Sequence, residues 1–221
     1  MKFKVARKGK ITQYFGGNAN PLYRNAGLNG HTGIDWTLGY GKGVTTDNGG
    51  YVYKTYTPER PSAGDGFTGV YLLVPMGGEQ YMEVCLGHLS KVFVEVGETI
   101  PEDYVVGQEG NNGDVYQGGV YYPDGAPNKG TKGSHVHENW RPVRRVKKLS
   151  GGKHYLNSHL GGMYQDTDGY YYEVVNTNEY RGCIDPLPYS VYETTAEKIK
   201  NAYGVVHYLK SKLTKLLNEK R

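Results

Sequence analysis

The feature that most constrains this chain is a series of short runs in which apolar and polar side chains alternate, each closed by Gly, Pro, Asn or Asp. Gly50-Tyr-Val-Tyr-Lys-Thr-Tyr56, Gly69-Val-Tyr-Leu-Leu-Val74 and Tyr81-Met-Glu-Val-Cys-Leu86 are examples. A period of two puts one set of side chains on one face of a strand, and the closing residues supply turns. Strong helical periodicity is absent until the last thirty or so residues. Composition agrees: 33 glycines, and 22 tyrosines against 4 phenylalanines, suit a β-rich, loop-rich protein whose aromatic rings keep a polar tip. The expected fold is therefore mainly β, a small antiparallel sheet or sandwich core with long loops.

Two segments break the strand pattern. Residues 110–134 are rich in Gly, Asn and Tyr, and residues 141–182 open on the basic run Arg141-Pro-Val-Arg-Arg-Val-Lys-Lys148. Both are expected as loop insertions in a domain spanning 1–192, the second holding a hairpin over 163–175 with Asp168-Gly169 at its turn. The tail, 193–221, differs in kind. Thr194 to Glu197 has capping-box spacing, and Ile199, Ala202, Tyr203, Val206, Leu209, Leu213, Leu216 and Leu217 form one stripe of an amphipathic α-helix.

Charge is uneven. Residues 195–221 hold seven Lys/Arg against two Asp/Glu, whereas the rest of the chain holds 19 against 20. A nearly neutral body gives no general nucleic-acid surface, while a basic tail can steer an acidic partner or wall polymer. The N-terminus lacks the apolar stretch of a signal peptide, and no run is long enough to span a membrane. Cys85 and Cys183 have neither metal-type nor redox-type spacing; two reduced buried thiols or a single bridge both fit.

Chemistry concentrates in three histidine motifs: His31-Thr-Gly-Ile-Asp35, His88-Leu-Ser90 and His135-Val-His137. On a strand, His135 and His137 share a face with roots ~7 Å apart, so their imidazoles can converge on one small object. Exposed or structural histidines fit that pair alone equally well. His31 and Asp35 add a nitrogen and a carboxylate across a turn containing Gly33, which a zinc ion accepts but a surface hydrogen bond also explains. A catalytic zinc keeps three protein ligands and an open position, and brings water into its nucleophilic form near neutral pH. Cys85 and His88 fall on opposite faces of a strand, which excludes a thiol nucleophile served by that histidine. His154, His159 and His207 lie outside the motifs and read as surface or packing residues. Asp166 and Asp168 read as turn residues rather than a calcium site.

Taken together and in this order, the motifs resemble those of the lysostaphin-type zinc metallopeptidases of the cell wall, which carry His-x-x-x-Asp, His-Leu-Ser and His-x-His. Ile11 to Gly16, Lys91 to Gly107 and Asp185 to Tyr189 resemble that family's flanking text, so the resemblance covers about 10–140 and 183–190. It implies a zinc site of His31, Asp35 and His137, with His88 and His135 as the catalytic pair. One of the pair would orient or deprotonate water, and both would stabilise the oxyanion. The chain departs from the pattern after His-x-His, where Glu138-Asn139-Trp140 replaces the usual Phe-Glu; that change is expected to bring in a packing partner from 141–182.

The resemblance implies a zinc endopeptidase, a hydrolase acting on peptide stems or cross-bridges of peptidoglycan. The missing signal sequence and wall-binding module point to a bacteriophage protein, in the virion or in host-cell lysis, with the tail helix docking either on the catalytic body or on a virion or tail protein. The tyrosines of the two loops either line the substrate groove or pack the loops. A non-catalytic adaptor that uses the same fold to bind wall or a virion partner is the rival reading.

Overall fold

The computed structural model describes residues 9–17, 23–24, 27–63, 66–158, 160–189, 209–210 and 212–213. Its strands in chain order are β1 (Lys10–Gln13), β2 (Ile34–Thr37), β3 (Gly43–Thr45), β4 (Gly50–Tyr56), β5 (Gly69–Gly77), β6 (Gln80–Gly87), β7 (Lys91–Val92), β8 (Thr99–Ile100), β9 (Val105–Gln108), β10 (Val115–Gln117), β11 (Val120–Tyr122), β12 (Val136–Val146) and β13 (Tyr171–Val174). The main sheet is antiparallel in the order β1-β2-β12-β6-β5-β4-β8, with β13 also on β12. The three alternating runs singled out in the sequence are β4, β5 and β6. A smaller sheet, β3-β9-β7, lies beside it.

One face of the main sheet packs the larger core. Val70, Leu72 and Val74 of β5, Met82, Val84 and Leu86 of β6, and Val136 and Trp140 of β12 meet Trp36, Val44, Leu89 and Val106 there, all buried. Each large side chain so buried contributes roughly 2–3 kcal/mol. On the other face, His137 sits near one end of β12 and Val143 near the other. Val143 joins Tyr53, Leu73, Leu156, Tyr164, Tyr172 and Val174 in a second cluster.

The segment 141–182, expected as a loop, opens as the second half of β12. β2 lies along β12 at Val136–Glu138 and β13 lies on the same edge at Val143–Val146, while β6 holds the other edge from His137 to Arg144. Pro142 is tolerated because its carbonyl, which accepts from Val175 N at 3.0 Å, faces the gap between β2 and β13. Its missing N–H therefore falls where no ladder needs it. The turn at 166–169 is present, with Gly169 N donating to Asp166 O at 3.0 Å and Gly169 at φ 81°. Its aspartates pair with Arg145, at 2.8 Å for Asp166 and 2.6 Å for Asp168.

Within 110–134 the structure contains the hairpin β10–β11, closed by Gly118 and Gly119 at φ 58° and 80°. Positive φ at both turn residues matches strand twist and requires glycine or its few substitutes. In the tail, Leu209 and Leu213 are 48 % and 58 % exposed, and Lys212 donates to Glu98 at 2.7 Å. The described part of the tail thus meets the body through charge. Ile199, Ala202, Tyr203, Val206, Leu216 and Leu217 lie outside the described residues. No helix among the described residues is long and apolar enough to cross a membrane.

Candidate metal centre

Strand pairing assembles the site. Asp35 on β2 stands opposite His137 on β12, and His137 stands opposite Gly87 on β6. Gly33 permits the first pairing: a Cβ there would collide with the carbonyl oxygen of Glu138. Gly87 serves the second, because a Cβ would enter the ring of Phe67. His88 follows at φ 60°, a left-handed conformation that is strained for a residue with a Cβ. His31 is brought in by the loop before β2, where its backbone N donates to Gly17 O at 3.3 Å and its O accepts from Gly16 N at 2.9 Å.

Three donor atoms converge. His31 Nε2 lies 2.8 Å from His137 Nδ1 and 3.1 Å from Asp35 Oδ1, and His137 Nδ1 lies 3.0 Å from the same oxygen. Ligands held at zinc–ligand distances in a tetrahedron are about 3.3 Å apart, so this triangle matches one face of such a site. His31 Nδ1 contacts the Tyr14 carbonyl oxygen at 3.3 Å. A carbonyl only accepts, so the proton sits on Nδ1 and the Nε2 lone pair faces the other two donors.

Electrostatics agrees with that donor set. Burial alone would raise the Asp35 carboxyl, but the imidazoles of His135, His137 and His31 gathered around it hold it well below the usual range. Burial lowers His137, against the pull of Asp35, and lowers His88 further with the help of His135. Neutral imidazoles beside an ionised carboxylate are the forms that ligate a divalent cation.

His88 and His135 face this triangle, with ring centroids 4.5 Å apart. His88 Nδ1 donates to Asn112 O and His135 Nδ1 to Gly133 O, each at 2.7 Å. Both Nε2 lone pairs are thereby left for the cleft, and that of His135 lies 3.7 Å from Asp35 Oδ2. The structure brings all five residues of the three motifs into one cleft of about 660 Å³.

Sequence reasoning missed two residues here. Tyr23 lines the cleft, its ring 5.9 Å from His31, and its OH accepts from Gln13 Nε2 at 3.1 Å. Burial and the Asp35 charge push the phenol up to about 12, so it remains a donor. No local pattern marked it. Glu109 is fully buried and accepts from Thr37 Oγ1 and Leu38 N at 2.6 Å, Gly39 N at 2.9 Å and Ser134 Oγ at 2.7 Å. It ties the end of β2 to the residue before His135. A lone Glu between Gly107 and Gly110 at a strand end was its one signal.

Of the loop tyrosines, expected either to line the groove or to pack the loops, Tyr116 from 110–134 lines the cleft. Those of 141–182 do not: Tyr164 and Tyr172 stack with each other and pack the second cluster. Glu138 is buried and accepts from the indoles of Trp36 at 2.9 Å and Trp140 at 2.8 Å. Its partners thus come from β2 and β12 in the larger core and not from the 141–182 segment. Cys85 and Cys183 are free and buried, and burial pushes each thiol up to about 12. His154 is exposed; His159 and His207 lie outside the described residues.

No protein-family model and no curated protein matches the chain. Solved structures similar to it include the catalytic domain of lysostaphin, an antimicrobial peptidase from Staphylococcus simulans, at 15 % identity and TM-score 0.49, covering 82 % of this chain and 91 % of that one. The catalytic domain of EnpA, a prophage-encoded M23 protein from Enterococcus faecalis, matches at 19 % and 0.43, covering 63 % and 85 %. LytU matches at 19 % and 0.44, covering 85 % and 89 %.

Proposed function

We propose that this chain is a zinc-dependent endopeptidase that hydrolyses peptide bonds of bacterial cell-wall peptidoglycan. The observation that carries the reading is the triangle of His31 Nε2, Asp35 Oδ1 and His137 Nδ1, with the His88–His135 pair facing it in an open cleft. The ordered motifs that resemble lysostaphin-type enzymes supply the substrate class.

His31, Asp35 and His137 would hold the ion, which when bound supplies Lewis acidity and a water reactive near neutral pH. The chain's other residues do the rest. His135 takes a proton from the attacking water on Nε2, and the imidazolium so formed donates to the carbonyl oxygen as it becomes negative. His88, kept neutral by burial with its Nε2 lone pair toward the cleft, is a second acceptor for the water's proton beside His135, and the Tyr23 hydroxyl adds a neutral donor. Collapse of the tetrahedral intermediate breaks the C–N bond, and the proton passes from imidazolium to the leaving amine. No covalent acyl-enzyme is needed.

Zinc content of the purified protein, followed by wall lysis with and without chelator, tests the reading. About one zinc per chain with chelator-sensitive lysis is expected. A metal-free protein that binds wall without cutting it would favour the adaptor reading instead.

A further inference from the structure

A second cleft, of about 360 Å³, opens where β12 exchanges one neighbour for another. β2 leaves β12 after Glu138, β13 joins it at Val143, and Arg141 lies between. Arg141 shares the sheet face of His137 and stands four residues further along the strand, about 13 Å away. The remaining walls bring Arg181, His154, Asn157 and Asn176, with Glu179 as the acidic group.

Two features show that this cleft is built rather than incidental. Arg141 donates through Nε to Glu83 Oε2 at 2.5 Å, and Tyr53 donates to the other oxygen of the same buried carboxylate. That clamp fixes the guanidinium and leaves its terminal NH₂ groups for a ligand. Arg181 is held at φ 55°, a conformation that disfavours any residue with a Cβ. Asn178 imposes it: Oδ1 accepts from the backbone N of Tyr180 at 3.2 Å and Gly182 at 2.9 Å, and Nδ2 donates to Cys183 O at 2.8 Å. Glycine would sit there without strain, yet an arginine is presented to the cleft.

We infer that this cleft is a carboxylate-binding subsite that holds the acidic end of a peptide substrate. A planar guanidinium matches a carboxylate in charge and in paired hydrogen bonds. An extended peptide advances about 3.3 Å per residue, so about four residues join the subsite to the metal centre. The identity of the ligand rests on the peptidase reading, whereas the anion site itself does not.

Titration of the full chain with N-acetyl-trialanine, as the free acid and as the carboxamide, tests the inference by amide NMR shifts. The acid should move the amides of Arg181 and Gly182 and bind roughly tenfold more tightly than the carboxamide. In Arg181→Gly, which relieves the left-handed strain and should melt no lower than the parent, the acid preference should fall severalfold, to what Arg141 alone supplies. Equal binding of acid and carboxamide by the parent overturns the inference, as does an undiminished preference in Arg181→Gly. Inorganic phosphate binding more tightly than the acid at the same amides also overturns it, by making the cleft a phosphoryl-anion site. Zinc content and wall lysis are read separately, so failure there with a positive titration removes the peptidase reading and leaves the carboxylate site.

Discussion

Gly33→Ala should weaken a metal centre that it does not touch. The position carries no left-handed φ, so alanine suits the backbone itself. The obstacle is β12: a Cβ at residue 33 would overlap the Glu138 carbonyl oxygen, 2.8 Å from its carbon and 3.0 Å from Asn139 Cβ. Restoring an ordinary carbon–oxygen contact needs about 1 Å of movement. Residue 33 directly precedes β2, so that movement separates β2 from β12 at the Asp35–His137 pair. The 3.0 Å edge between Asp35 Oδ1 and His137 Nδ1 would open towards about 4 Å, beyond what one small cation spans. Overpacking of this kind costs about 1–3 kcal/mol, or roughly 3–10 °C in melting temperature for a chain of this size. Zinc affinity should fall about 10- to 100-fold, the scale of a disturbed ligand support. Thermal melts of zinc-stripped protein and competition against a chromophoric chelator read the two effects. A variant with parental stability and parental zinc affinity would refute the reasoning, because β2 would then be free to shift without opening the triangle.

Four further outcomes are expected. His31→Ala or Asp35→Ala should abolish zinc binding and hydrolysis, while His88→Ala or His135→Ala should keep the metal and lower turnover by roughly 100-fold or more; metal analysis beside kcat separates the groups. Tyr23→Phe should lower kcat about tenfold with zinc content unchanged, and an unchanged kcat would remove Tyr23 from the reaction. Burial, aided by the nearby Asp47, raises Glu138 to about 8 in the folded chain against an ordinary value near 4.5. The folded state then holds a proton that the unfolded state lacks between those values, so stability should fall as pH rises through that window, by up to about 1.4 kcal/mol per unit; denaturant melts in which Glu138→Gln shows the same slope would contradict this. Truncation after Tyr192 should leave peptide cleavage measurable while weakening attachment to a larger assembly, and a truncated protein that unfolds would place the tail in the core.

The site was legible to the extent that it is local. His31 and Asp35 flank one turn, His135 and His137 share one strand face, and spacing exposes both pairs. β4, β5 and β6 were visible because each is a run rich in apolar and aromatic residues with a glycine at one end or both. What stayed hidden depends on partners far along the chain. Nothing near Glu138 indicates that Trp36, 102 positions away, donates to it. Glu109 takes its meaning from Thr37, Leu38, Gly39 and Ser134, which only the folded chain gathers. β10–β11 did carry a signal in Gly118-Gly119, but three-residue strands are too short to show alternation. The second half of β12 was masked by its arginines and by Pro142, which reads as a strand breaker until the gap in its neighbours is known.

Because β2 covers only the first residues of β12 on that edge, β13 has a second duty: it occupies backbone that would otherwise be an open edge. A strand carrying Val143 and Val146 with its N–H and C=O groups unpaired is a template for other chains. Shortening 147–175 into a tight turn would therefore cost solubility, even with the five motif residues of the cleft left in place. Insertion beside the exposed glycines 151–152 and 161–162 leaves that pairing intact, although Gly152, Gly161 and Gly162, at φ 74°, 88° and 73°, are themselves best kept. Those tips are places at which the chain can be lengthened or tagged while the strand that carries His137 stays capped.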